Sequence, residues 1–252
     1  MTLRFIDSHC HLADPSFDPD REAVIERGLR AGVTTMLVMG ENLAENQHIL
    51  ELCRGHTAMR PCLGHYPSHL DMAMARQTAA LIVAHAREIA AIGEVGLDYR
   101  LYEEPDQRAK QREILQLFAA TSNETGLALS VHSRSAGHYT IDLLIEAGAR
   151  HVVMHAFDGK AVHALRGIDP GFHFSIPPSV VRSQQKQKLV AALPLDRLLL
   201  ESDAPVLGPD PQVRNEPAAV VEAARKIAEL KGVDLAEVAA ITTANASRLF
   251  RL

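Results

Sequence analysis

Short apolar runs rich in β-branched residues alternate along the chain with longer stretches of helical periodicity. Runs of this kind predict buried strands, and the stretches between them predict helices that cover a sheet. The pattern predicts eight strands, at residues 3–6, 34–39, 60–64, 90–95, 127–131, 151–154, 172–176 and 197–200. It predicts helices at residues 19–31, 43–54, 73–87, 105–125, 141–147, 184–192, 217–231 and 235–249.

The number of repeats decides how such a sheet is arranged. Strands that alternate with helices form a parallel sheet, and eight repeats in 252 residues favour closure into a barrel over an open doubly wound sheet. The first strand is not followed by Gly-x-Gly-x-x-Gly, which counts against a dinucleotide-binding fold. No linker or low-complexity tract interrupts the chain. We therefore predict one α/β domain, a (β/α)₈ TIM barrel that covers residues 1–252.

Composition narrows the class of protein. The net charge of −5 does not suit a protein that binds duplex DNA through a broad basic face. The three cysteines form no Cys-x-x-Cys pair, which favours free thiols in a reducing compartment. No leader-like segment opens the chain, and no run approaches the roughly 18 apolar residues that a membrane span needs. We expect a cytoplasmic protein with no membrane association and no stable protein partner.

Histidine or an acidic residue ends the apolar run at five predicted strands. His9 and His11 follow the first strand, and because side chains alternate along a strand they face the same side. In a barrel, the carboxyl ends of all strands meet at one mouth. The residues expected to converge there as metal ligands are His9, His11, Glu94, His132, His155 and Asp203.

Six ligands exceed what one zinc ion takes from a protein, so the set fits two divalent ions per subunit. Glu94 is the expected bridge, because its carboxylate has two oxygens and its strand is central. Two ions can activate a water and hold the entering and leaving oxygens of a displacement. Histidine and carboxylate ligands leave Zn, Mn, Mg, Ni, Co and Fe all open as the metal, although Mg²⁺ prefers oxygen.

Three further roles follow from position. Asp203 has two expected roles, as a metal ligand and as the base that accepts the proton of the attacking water, so Asp203 and Glu94 are the predicted catalytic residues. Glu201 lies two residues earlier on the same side, where it would orient a ligand histidine. Arg134 would bind an anionic substrate, and an ion pair at the rim is an equal alternative.

Taken together, these motifs resemble the TatD family of metal-dependent hydrolases, which are amidohydrolase-like barrels. The resemblance lies in seven runs that occur in family order, at residues 7–12, 92–99, 131–134, 154–157, 195–205, 214–217 and 243–250. It implies that one ion is held by His9, His11, Glu94 and Asp203, and the other by Glu94, His132 and His155. Better-known members of the family are DNases that need divalent metal and often degrade single strands from the 3′ end.

The sequence departs from the family pattern at positions that would face the substrate. Where the family commonly has Gly-x-His-Pro after strand three, this chain has His65 and then Tyr66, and both side chains are expected to contact the substrate. Asp158 and the pair Pro177–Pro178 mark the other two departures. All of them leave the predicted metal ligands unchanged.

The resemblance favours a 3′–5′ exonuclease that acts on single-stranded DNA by means of a water activated by two metal ions. One alternative keeps the metal site and changes the substrate to a small-molecule ester, lactone or amide. An alternative from another class is a barrel that binds metal without catalysis. A complete ligand set argues against that last reading.

Overall fold

The computed structural model describes residues 3–252. Eight strands form one parallel sheet, in which each strand pairs with the next along the chain. They are β1 Phe5–Cys10, β2 Val33–Met39, β3 Met59–His65, β4 Ala91–Gly96, β5 Ala128–His132, β6 Val152–Met154, β7 His173–Ile176 and β8 Leu198–Leu200. Helices follow the strands, as α1 Arg21–Arg30, α2 Leu43–Arg54, α3 Met72–Ala84, α4 Pro105–Thr125, α5 Gly137–Glu146, α6 Ala161–Leu165, α7 Gln184–Ala192, α8 Val220–Lys231 and α9 Leu235–Phe250.

The first and last strands meet at the mouth and close the barrel. The backbone amide of Asp203 donates to the carbonyl of His9 at 2.9 Å, and the amide of His11 donates to the carbonyl of Ala204 at 2.8 Å. The predicted α/β barrel is therefore confirmed. A side-chain hydrogen bond reinforces this seam between the first and last strands. The Ser202 hydroxyl donates to the Asp7 carboxylate at 2.6 Å.

The largest differences between the elements and the sequence prediction lie in three places. β1 was predicted to end at residue 6 but continues through polar residues to Cys10, so it contains His9 instead of preceding it. Helix α5 begins at Gly137, before the predicted residue 141. Helix α6 was not predicted, because five residues are too few to show a helical period.

Alternation along each strand separates two apolar clusters. Ala128 and Val153 join a cluster inside the barrel, whereas their neighbours Leu129 and Val152 pack in the larger cluster that includes the apolar residues of the helices. Phe250, at the end of α9, belongs to the inner cluster. The base of the barrel is thus filled with side chains, and only the opposite end is left for polar groups.

No helix in the described part of the chain is long and apolar enough to span a bilayer. The three cysteines are free and buried. Cys10 points away from the mouth, where its thiol lies 3.3 Å from the carbonyl of Leu37. This direction agrees with the predicted alternation on either side of it.

Candidate metal centre

The structure brings the six predicted ligands together at the mouth of the barrel. His9 and His11 direct their Nε2 atoms toward each other at 3.2 Å, and each of these atoms lies 3.4 Å from Oε2 of Glu94. Oδ1 of Asp203 lies 3.8 Å from Nε2 of His9 and 3.6 Å from Nε2 of His11. Four donor atoms therefore surround one point.

The second oxygen of Glu94 faces a different pair of histidines. Its Oε1 lies 2.6 Å from Nδ1 of His132 and 3.3 Å from Nε2 of His155. The ring of His155 stacks on that of His9 with 3.7 Å between ring centroids. Glu94 thus stands between two groups of ligands, with one oxygen directed to each.

Polar partners hold the far nitrogens of three of these histidines. Nδ1 of His9 lies 2.8 Å from the Ser130 hydroxyl, and Nε2 of His132 donates to Asp98 at 3.0 Å. Nδ1 of His155 donates to Glu201 at 3.3 Å. Such bonds fix the orientation of an imidazole and leave the other nitrogen free to bind a cation.

Of these three partners, sequence reasoning named Glu201 and missed Ser130 and Asp98. The carboxylate of Glu201 is fully buried, accepts from the Ser175 hydroxyl at 2.5 Å and also accepts from the backbone amide of Ala156 at 2.9 Å. Ser130 could have been found from strand alternation, since it precedes His132 by two residues. Asp98 lies beyond the end of β4, where alternation no longer gives a direction.

Glycines and backbone irregularities let the strands carry this cluster. A side chain at Gly64 would place its Cβ 2.2 Å from the amide of Glu94, and one at Gly96 would lie 2.0 Å from the carbonyl of His132. Strand pairing is irregular between Ile92 and Val95, around Glu94. Irregularities of this kind redirect side chains and are common beside active sites.

The histidines and carboxylates of the cluster shift one another's pKa values. Burial alone would raise the pKa of Glu94, but the positive charge on His155 and His132 holds that pKa well below its usual value. Burial opposes protonation of His11 and His155, yet the neighbouring carboxylates raise the pKa of both well above the ordinary histidine value. Burial lowers the pKa of His9. The buried carboxylates of the cluster thus favour positive charge beside them.

The donor set fits a divalent metal. Three groups of histidine and carboxylate atoms lie close enough together to hold an ion. Glu94, His9 and His11 each belong to two of these groups. One of these groups also includes Glu41, whose Oε1 lies 3.8 Å from Nδ1 of His11. That nitrogen is buried and has no hydrogen-bond partner among residues 3–252. Buried imidazole and carboxylate atoms that converge in this way are typical of bound Zn²⁺ and similar ions.

A cavity of about 1040 Å³ opens above the cluster. Tyr66 and Arg134, two of the predicted substrate contacts, line it. Arg134 also directs Nε and Nη2 to a single oxygen of Asp98, at 2.8 and 2.7 Å. Arg134 therefore forms the ion pair that was one of its two predicted roles, and contact with an anionic substrate stays a prediction.

The position of His65 corrects the prediction that it contacts substrate. Its ring is buried outside the cavity against Phe118, with 5.9 Å between ring centroids, and its Nε2 lies 3.0 Å from the carbonyl of His69. Adjacent residues at a strand end face opposite sides, so the side chain that lies in the cavity is that of Tyr66.

A parallel barrel with a histidine–carboxylate cluster at the carboxyl ends of its strands defines a class, the metal-dependent barrel hydrolases. The model of the TatD-related DNase family matches residues 6–251, and the chain belongs to this family.

Relatives and solved structures agree with this assignment. The human deoxyribonuclease TATDN3 is 40% identical over 97% of this chain and 94% of its own length. The 3′-5′ ssDNA/RNA exonuclease TatD of Erwinia tasmaniensis is 34% identical over 98% of this chain and 99% of its own. The crystal structure of YJJV, a TatD homologue from Escherichia coli, superposes with a TM-score of 0.92 at 26% identity and covers 100% of both chains.

Proposed function

We propose that the protein is a divalent-metal-dependent deoxyribonuclease that hydrolyses phosphodiester bonds from the 3′ end of single-stranded DNA. The observation that carries the proposal is the position of Glu94, whose two oxygens face two separate groups of histidines. The names of the relatives, a deoxyribonuclease and a 3′-5′ single-strand exonuclease, support the choice of substrate.

In this proposal two ions bind in the cluster. His9, His11, Asp203 and Glu94 would hold one of them, and His132, His155 and Glu94 would hold the other. Ser130, Asp98 and Glu201 keep three of the rings in place. When bound, the ions supply Lewis-acid polarisation of a phosphate oxygen and activation of water at neutral pH.

Asp203 is the proposed base. Burial would raise its pKa, but positive charge on His155 and a hydrogen bond with His11 keep the pKa below the usual value, so the carboxylate is ionised at neutral pH. Its position at the edge of the cavity allows it to accept a proton from an attacking water. The left-handed backbone at Asp203, with φ of 53°, is tolerated by aspartate and sets the direction of the side chain.

Digestion of a 5′-labelled single-stranded oligonucleotide with Mg²⁺, Mn²⁺ or Zn²⁺ tests the proposal. We expect a ladder that shortens from the 3′ end, and no ladder with Glu94→Gln under the same conditions. Metal analysis of both proteins would show whether the parent holds two ions and the variant fewer. A protein that retains metal and shortens no strand would contradict the nuclease assignment.

A second candidate, hydrolysis of a small-molecule ester, lactone or amide, is favoured by one observation. Tyr66 lies in the cavity, at the position where TatD proteins commonly have histidine. Neutral esters and lactones assayed beside the oligonucleotide would separate the two candidates.

The free cysteines support the cytoplasm as the proposed compartment.

A further inference from the structure

The cavity contains a cationic side chain with no role in the metal centre. Of the described side chains that line it, only Arg134 and Lys186 are arginine or lysine. Arg134 is neutralised by its two contacts with Asp98. Lys186, in the first turns of α7, is 7% exposed and forms no ion pair within residues 3–252.

The ammonium group of Lys186 has donors to spare. Its Nζ donates to the carbonyl of Ala156 at 2.8 Å, which uses one of three hydrogens. Burial lowers the pKa of this lysine, although the negative charges of Glu201, Asp203 and Asp158 oppose that shift. An anion that enters the cavity would supply acceptors for the two remaining hydrogens.

Two other features make the surroundings a site for an oxyanion. Ser133 also lines the cavity, and its buried hydroxyl has no hydrogen-bond partner in the described part of the chain. Gln185 donates to the carbonyl of Gly159 at 2.6 Å, and together with Lys186 it fixes the turn after His155. The ammonium is therefore held on a rigid support beside the metal cluster.

We infer that Lys186, assisted by Ser133, forms a phosphate-binding subsite that contacts a non-bridging oxygen of the substrate. Such a subsite selects phosphodiesters over neutral esters and amides of similar size. The inference rests on the proposed function for the identity of the ligand, a phosphodiester. A charge-assisted hydrogen bond of this type changes affinity by about 10- to 100-fold.

The test is calorimetric titration of the zinc-loaded protein with inorganic phosphate. Lys186→Gln keeps a polar side chain but removes the charge, and we expect phosphate to bind at least about tenfold more weakly. Lys186→Arg should recover most of the affinity. Lys188→Gln is the matched control, because Lys188 is an exposed lysine of the same helix, and its affinity should equal that of the parent.

Gln185→Ala separates the effect of the Lys186 charge from the effect of supporting the turn after His155. It removes the hydrogen bond to the Gly159 carbonyl without removing a charge. Parent-like phosphate affinity in Lys186→Gln, or an equal loss in Gln185→Ala, would overturn the inference. If Lys186→Gln loses its zinc or its fold, a measurement on the parent protein tests the inference instead. The ¹³Cε resonance of Lys186, assigned by its absence from Lys186→Arg, should shift on addition of phosphate, and an unmoved resonance would overturn the inference.

These experiments need no turnover, so the two proposals can fail separately. A protein that binds phosphate through Lys186 but cleaves no DNA would contradict only the nuclease assignment. An active nuclease whose phosphate affinity is unchanged in Lys186→Gln would contradict only the phosphate-binding subsite.

Discussion

The same strands form the base and the mouth of the barrel, but the inward-facing residues are apolar at the base and polar at the mouth. At the base, Val153 and Leu199 face inward and pack with Phe250. Two residues further along the chain, just beyond the ends of β6 and β8, His155 and Glu201 face inward at the mouth. Direction is set by strand alternation in both places, so residue type alone separates the end that stabilises the fold from the end that carries the chemistry.

The largest expected effect is the loss of Glu94 at the mouth. Glu94→Gln keeps the shape of the side chain but removes the charge shared by both groups of histidines. We expect kcat/KM on single-stranded DNA to fall by about 10³-fold, because metal ions supply several kcal/mol of transition-state stabilisation. Activity that stays within tenfold of the parent would show that Glu94 does not bridge the ions.

The matching change at the base is Leu199→Ala. It removes a fully buried side chain from the inner cluster, and we expect the free energy of unfolding to fall by about 2–5 kcal/mol. Denaturant unfolding measures this change, and kcat per folded molecule should stay near that of the parent. A selective loss of kcat in a stable variant would break the separation between base and mouth.

His173 gives the base a dependence on pH. It is buried at the start of β7, and neither ring nitrogen has a hydrogen-bond partner in the part of the chain that the structure describes. Burial lowers its pKa to about 4. The unfolded chain therefore binds a proton first, so stability is complete above pH about 6.5 and decreases as the pH falls toward 4, by at most roughly 3 kcal/mol.

Unfolding measured between these pH values should show a smaller acid loss in His173→Phe than in the parent. Phenylalanine fills the same space and leaves no hydrogen bond unmade. Parallel pH curves for the two proteins would assign the acid loss to other groups.

The smallest expected effect concerns the support of the mouth. Asp98→Asn weakens the bond that orients His132, and we expect metal affinity to fall by about 10- to 100-fold. Competition with a chelator measures the affinity. Asp158→Asn removes a carboxylate from the cavity wall without touching a ligand histidine, so its metal affinity should remain that of the parent.

Much of this arrangement could be predicted from the sequence, because it depends on short-range rules. The eight strands and the convergence of His9, Glu94 and Asp203 follow from apolar runs that end in polar residues. The predicted bounds of α2 and α4 are those of the structure, since caps and periodicity mark both ends of long helices.

The rest depends on backbone detail that apolar patterns do not report. The continuation of β1 through Asp7 was missed because its polar residues interrupt the apolar run. Asp98 follows Gly96, whose φ of 155° turns the chain beyond the strand. Lys186 occupies a helix position that reads as solvent-exposed from its polar neighbours, and only the packing of α7 over the mouth buries it.

The seam between the first and last strands has a consequence for biosynthesis. His9 emerges from the ribosome long before Asp203, whose backbone amide donates to the His9 carbonyl. A contact between residues so far apart in sequence forms late in folding. The nascent chain thus carries an incomplete set of ligands until Asp203, the last of the six in sequence, has been made.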